Sequence, residues 1–181
     1  IHPAPVSAVI FGPDDQILAS TSSKGLLHWN RTTQWKIRRT LGDQNREDPF
    51  PGRVLSLAFH PDGHLLATGS GVPSRDGSLS LWNLSDGQRK GVIKAHQDTI
   101  TGLAFSPDGR RIASSSTDRY IRIHTVDTLE MQDQLEGHTS HVLDVAWSAD
   151  GQTIASAGAD HVGKLWDVAT KKQKKTESGF K

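Results

Sequence analysis

A layout that occurs four times constrains this chain more than any other feature of its sequence. Each copy has a short apolar run ending in an aromatic residue, a turn containing Asp, a run rich in Ala and Ser, and a further apolar run. The aromatic residues are Phe11, Phe59, Phe105 and Trp147, with spacings of 48, 46 and 42 residues. Because four copies in one register are improbable by chance, we interpret the chain as a repeat array.

Each copy predicts four short β-strands, and no stretch has the period of a helix. The first run is almost continuously apolar, as at 54–59, which is typical of a strand covered on both faces. The turn Pro107-Asp108-Gly109 favours a hairpin, because Pro fixes φ and Gly adopts a positive φ freely. The fourth run is polar, as expected of an outer edge. Four-stranded units of this period predict a β-propeller. The predicted units are 1–48, 49–96 with an insertion at 71–75, 97–138, and 139–181 with a basic outer strand.

Composition excludes several classes of protein. The chain has 181 residues, a net charge of +1 and no Cys. We therefore expect no nucleic-acid partner and no membrane partner, since no field of one sign would attract either. The lack of Cys excludes disulfides and thiolate chemistry, and the nine His form no zinc motif, so we expect no metal and no cofactor. The compartment stays open, with the cytoplasm as default.

These residues resemble the WD40-repeat β-propeller family. The resemblance rests on a Gly-His pair, a Ser-rich second strand, an Asp before the third strand and a terminal Trp-Asp, all present in Gly137–Asp167. It implies an all-β propeller segment of four four-stranded antiparallel blades. Members usually have about seven blades, so we expect further blades, from the same chain or another copy, to complete a larger toroid. A weaker resemblance, carried by 69–83 and 137–151, is to bacterial WD40 arrays of the planctomycete type.

In this family a His, a Ser or Thr, an Asp and a Trp of one blade form a hydrogen-bonded network, called the tetrad below. The matching positions are His2, Ser20 and Trp29 in copy one; Thr68, Asp76 and Trp82 in copy two; His96, Ser114 and Asp118 in copy three; and His138, Ser156, Asp160 and Trp166 in copy four. Phe50 takes the place of His in copy two, Lys24 that of Asp in copy one, and His124 that of Trp in copy three. We therefore expect only copy four to be complete.

The Ser, His and Asp of copy four could be mistaken for a catalytic triad. A triad requires an exposed nucleophile and an oxyanion hole. Here the Ser belongs to a small-residue strand that would pack between blades, so we favour a structural role.

Two insertions, Gly42–Pro51 and Gly71–Arg75, are expected on one face of the propeller. Loops on a rigid scaffold often carry binding residues. The candidate partner-binding residues on that face are Phe50, Arg53, Arg75, Thr99, Thr117 and His141. Two interpretations of Phe50 stay open: an exposed hydrophobic anchor, or a buried substitute for the missing His.

The sequence favours a non-catalytic scaffold that binds protein partners through this loop face. The alternative is a regulatory or sensor segment of a larger multidomain protein, enzymatic or haem c-containing, although no CxxCH motif occurs here. An enzyme with an axial pocket would need acidic residues or His at equivalent strand starts. Those positions are Pro5, Arg53, Thr99 and His141, so we predict no enzyme.

Overall fold

Four antiparallel sheets of four strands each make up the described part of the chain. The computed structural model describes residues 5–13, 17–22, 25–30, 36–41, 50 and 52–178, and these contain no helix. The strands of the first two sheets are β1 (Val6–Phe11), β2 (Ile17–Ser22), β3 (Gly25–Asn30), β4 (Lys36–Leu41), β5 (Arg53–Phe59), β6 (Leu65–Val72), β7 (Asp76–Asn83) and β8 (Arg89–His96). Those of the other two are β9 (Ile100–Phe105), β10 (Arg111–Ser116), β11 (Ile121–Thr125), β12 (Met131–Leu135), β13 (Val142–Trp147), β14 (Thr153–Gly158), β15 (Val162–Asp167) and β16 (Gln173–Ser178).

Within every sheet the strands pair in the order of the sequence, so each sheet is a simple meander. We call the four sheets blades one to four. The first strands β1, β5, β9 and β13 contact one another from blade to blade, which makes them the inner strands. As a result, all loops that precede a first strand, or that join a second strand to a third, lie on one side of the array. We call this side the loop face.

The hairpins between first and second strands depend on glycine where the sequence predicted it. Gly63, Gly109 and Gly151 have φ values of 75°, 71° and 69°, which side chains other than glycine seldom adopt. The N–H of Gly109 donates to the carbonyl of Ser106 at 2.9 Å, and Asp108 accepts from the Ser106 hydroxyl at 2.6 Å. Local turn chemistry therefore fixes the strand register.

The apolar cores lie between neighbouring blades rather than inside one sheet. Ile100 and Leu103 of blade three pack with Leu79 and Leu81 of blade two, and all four are buried. Small residues on the second strands permit this approach, since a Cβ on Gly69 would lie 2.5 Å from Cγ2 of Ile100. Burial of apolar surface at each such interface stabilises the fold by roughly 25 cal/mol for every Å² removed from water.

The inner strands of the two end blades each expose a large apolar side chain. Val9 on β1 is 56% exposed and Leu143 on β13 is 49% exposed. Leu57 and Leu103, which match Val9 in the repeat register, are buried. The expectation that the outer faces of blades one and four are apolar and uncovered agrees with this pattern. Among the described residues, no helix has the length and apolarity that a membrane span requires.

Candidate functional site

The four tetrad residues of blade four meet in one hydrogen-bonded chain. The indole N–H of Trp166 donates to the Ser156 hydroxyl at 2.8 Å, and that hydroxyl lies 2.8 Å from Nε2 of His138. Nδ1 of His138 lies 2.9 and 3.0 Å from the two carboxylate oxygens of Asp160. Because the carboxylate can only accept, Nδ1 carries the proton and Nε2 accepts from Ser156. The polar side-chain atoms of these four tetrad residues thus all have a hydrogen-bond partner.

Asp160 is held in its ionised form. Burial favours the neutral carboxyl, but hydrogen bonds from the N–H of Thr139 and from His138 outweigh it and lower the pKa of Asp160. The carboxylate therefore acts as an acceptor that orients the His138 ring and the chain at Thr139.

This geometry resembles a Ser-His-Asp triad but lacks the access that a nucleophile requires. Ser156 is only 6% exposed, and its hydroxyl accepts from the Trp166 indole while it bonds to His138. A substrate carbonyl has no approach to such an atom. The arrangement favours a structural role, in which these hydrogen bonds hold neighbouring strands together, over a catalytic one.

Blade three keeps the same His, Asp and Ser but closes the network with an arginine. His96 lies 3.0 Å from Asp118 and 2.8 Å from Ser114. Arg122 donates to Asp118 at 2.9 Å and to the carbonyl of Ala95 at 2.9 Å. Burial opposes ionisation of Asp118, yet the bonds and charge of its partners hold its pKa well below the usual range. Sequence analysis missed Arg122, although its spacing of four residues from Asp118 was visible.

His124 occupies the tryptophan position of blade three and is 3% exposed. Its Nδ1 atom is buried and has no hydrogen-bond partner among the described residues. Burial, reinforced by the positive charges of His96 and Arg122, lowers the pKa of His124 to about 4. The ring is therefore neutral near pH 7.

Blade two replaces the missing His by packing. Trp82 donates to the Thr68 hydroxyl at 3.0 Å, as a network Trp should. Phe50 is 5% exposed, and its ring centroid lies 5.3 Å from that of Trp82. The prediction of Phe50 as an exposed partner anchor is therefore wrong, and its other interpretation, as a buried substitute, describes what the structure shows. Asp76 accepts instead from the N–H of Val72 at 3.2 Å.

The structure describes little of the network predicted for blade one. Ser20 is buried on β2, but His2, Lys24 and the side chain of Trp29 lie outside the described residues. Of the insertion Gly42–Pro51, the structure describes Phe50 alone.

The remaining partner-binding candidates differ in accessibility. Arg53, Arg75 and His141 are exposed on the loop face, and Thr117 is partly exposed. Thr99 is only 6% exposed because its backbone lies against Gly71, where a Cβ would come within 2.6 Å of the Thr99 Cα. That Thr99 contacts a partner stays a prediction. Sequence alone could not show its burial, since Gly71 belongs to another blade.

The insertion at 71–76 is a fixed turn. The N–H of Ser74 donates to Asp98 at 3.0 Å, and the ammonium of Lys94 donates to the carbonyl of Arg75 at 2.9 Å. Burial opposes ionisation of Asp98, but the N–H groups of Thr99 and Ser74 outweigh it and lower its pKa. The turn is thus fastened to blade three while the Arg75 side chain faces solvent. Among the described residues, no group of three or more His, Asp or Glu could hold a metal ion.

The family model for the WD domain, G-beta repeat, matches residues 45–83, 87–125 and 129–167, which is more than half of the chain. The chain therefore belongs to the WD40-repeat family, as its sequence predicted. The second and third matched segments begin just before the outer strands β8 and β12, whereas our units begin near an inner strand. The unit boundaries given above stay a prediction.

Two curated relatives show how much of a longer protein this chain represents. Periodic tryptophan protein 2 homolog of Schizosaccharomyces pombe is 31% identical over 148 residues, covering 70% of this chain and 16% of the relative. Transducin beta-like protein 3 of Bos taurus is 32% identical over 130 residues, covering 72% of this chain and 15% of the relative. Both are eukaryotic proteins, so the expected likeness to bacterial arrays gains no support from them.

A solved structure, titled as the WD40 repeats of RRP9, superposes with a TM-score of 0.86 at 20% identity. The match covers 99% of this chain and 52% of the solved one. At this identity the likeness shows the fold alone. It confirms the predicted fold class, an all-β segment of four-stranded antiparallel WD40 blades, which matches about half of the solved chain.

Proposed function

We propose that this chain is part of a non-catalytic WD40 scaffold that holds protein partners on its loop face. The observation that carries the proposal is the fixed turn at 71–76. Asp98 and Lys94 hold the backbone of this turn, while the side chain of Arg75 remains exposed. A preorganised, exposed turn binds a partner with little loss of conformational entropy.

The groups that could perform catalysis support the same conclusion. In blades three and four the His, Asp and Ser side chains bond to one another inside the sheet. Their hydrogen-bonding capacity is used in holding strands together, since buried polar groups require partners. No observation on the described residues favours the alternative of a sensor segment in an enzymatic or haem c-containing protein.

We further propose that additional blades, from the same chain or a second copy, cover the end faces. Val9 is exposed where its counterparts Leu57 and Leu103 are buried, Leu143 is exposed on the other end blade, and an uncovered apolar face of a repeat array promotes association. Light scattering coupled to size-exclusion chromatography of the 181-residue chain should therefore show association or aggregation. A compact, stable monomer would contradict this part of the proposal.

A site-specific photo-crosslinker tests the loop face directly. Placed at Arg75 in the intact protein, it should capture a partner protein in cell extract. The matched control is Arg110, an exposed arginine in the hairpin turn on the opposite side. Capture from position 110 but not from position 75 would place the binding surface on the other side and refute the proposal.

A further inference from the structure

The loop face carries a run of exposed Arg and His side chains across blades two to four. We call this surface the basic arc, and its members are Arg53, Arg75, Arg119, His141 and His161. All five lie in loops that precede a first strand or join a second strand to a third. Their clustering on one face follows from the meander order of each blade.

Most carboxylates on the same face are engaged internally. Asp98 accepts from the backbone N–H groups of Ser74 and Thr99. Asp118 and Asp160 likewise accept backbone N–H groups and the histidines of their networks. Glu136, before blade four, is an exposed carboxylate on this side. Most of these carboxylates thus have their oxygens occupied by hydrogen bonds from within the fold, while the arginine side chains face solvent.

Two arginines of the arc are held by one short segment. Asp98 binds the N–H of Ser74, beside Arg75, and the carbonyl of Thr99 accepts the N–H of Thr117 at 3.1 Å. Thr117 begins the turn that presents Arg119. The segment 98–99 therefore fixes both arginine-bearing turns relative to each other.

The backbone at Arg119 has a φ of 76°, and His161 at the equivalent position has a φ of 62°. Residues other than glycine seldom adopt such angles, and those that do cluster at functional sites. Both residues are exposed at these turns.

From this arrangement we infer that the basic arc selects an acidic segment of a protein partner. The inference rests on the proposed function and names the chemistry of its partner. The planar guanidinium group pairs with carboxylates through two parallel hydrogen bonds, so two fixed arginines suit a pair of Asp or Glu side chains.

A protein carboxylate fits this surface better than a nucleic acid does. The chain has a net charge of only +1, and only three of the five members of the arc are arginines. Base recognition in single strands also uses open aromatic faces. On the described part of this face, the ring of Tyr120 is covered by the guanidinium of Arg122 at 5.4 Å.

Fluorescence anisotropy with a labelled oligoglutamate peptide and the intact protein tests the inference. The double variant Arg75→Glu, Arg119→Glu should weaken binding by about tenfold or more, because it places like charges opposite each other. Arg110→Glu, on the opposite side, makes the matched control and should change the affinity by less than about twofold. Thermal melts of both variants establish that they are folded.

Equal loss of affinity in the control variant would overturn the inference, and so would tighter binding of a single-stranded RNA that depends on the same two arginines. Failure of oligoglutamate to bind, with capture from position 75 intact, would overturn the acidic selection alone. Loss of that capture would instead refute the loop-face function on which the inference rests.

Discussion

Blades three and four share a buried His, Asp and Ser but close the network in different ways. In blade four, Trp166 donates to Ser156, and the adjacent Lys164 donates to Gln173 at 2.8 Å. Blade three has His124 in place of the tryptophan, and Arg122 pairs with the network carboxylate. The comparison teaches that the His–Asp pair is the constant part, while the group that completes the network can vary.

The tryptophan of blade four and the arginine of blade three contribute to stability in different ways. A tryptophan adds a large buried apolar surface and one satisfied N–H, with no charge taken from water. An arginine paired with a buried carboxylate offsets a desolvation cost with charged hydrogen bonds, and its net gain is smaller. Blade four should therefore depend on its closing residue more than blade three does.

The largest expected effect is that of Trp166→Ala. It removes a fully buried aromatic ring and leaves the Ser156 hydroxyl without its donor, so the free energy of unfolding should fall by about 3–5 kcal/mol. Urea denaturation measures this loss. His124→Ala in blade three is the matched change and should cost less; an equal or greater loss would break the comparison.

The next effect is that of His138→Ala, which removes one hydrogen-bond partner from each of Ser156 and Asp160. It should lower the free energy of unfolding by about 3 kcal/mol, since an unpaired buried polar group costs about 1–3 kcal/mol. His138→Phe copies the packing of Phe50 on Trp82 and should restore about 1 kcal/mol of that loss. If the Phe variant is no better than the Ala variant, packing does not substitute for the network.

A smaller effect is expected from acid, and it separates the two blades. His124 has a pKa of about 4 when folded, below the value of 6.5 for an ordinary His. The unfolded chain therefore binds more protons between these values, and stability falls as the pH falls through this window. From about pH 7 to about pH 5 this group should cost about 2 kcal/mol.

His124→Phe should flatten that pH dependence in denaturant titrations at both pH values. The matched control, Trp166→Phe in blade four, should leave the acid sensitivity unchanged although it lowers stability. An unaltered pH profile in His124→Phe would show that the buried imidazole is not its source.

Sequence predicted the features that depend on local pattern. The strands, the glycine turns and the positions that meet in blade four all follow from the repeat register, because each blade folds largely on itself. The same register predicted the gaps in blades one to three. His124 and Phe50 were correctly identified as departures from it.

What sequence could not predict depends on contacts between blades. Thr99 of blade three is buried beside Gly71, which belongs to β6 of blade two. Arg122 joins its network through the carbonyl of Ala95, which a single blade does not reveal. Which loop residues remain free for a partner is therefore a property of the assembled array.

The central claim is that the networks hold the blades and the loop face binds the partner. The most direct test measures thermal stability and partner capture from position 75 together in two variants, His138→Ala and Arg119→Glu. We predict that His138→Ala lowers the melting temperature by several degrees, while folded molecules still capture the partner. Arg119→Glu should strongly weaken capture and change stability by less than about 0.5 kcal/mol. The opposite pattern would contradict the account.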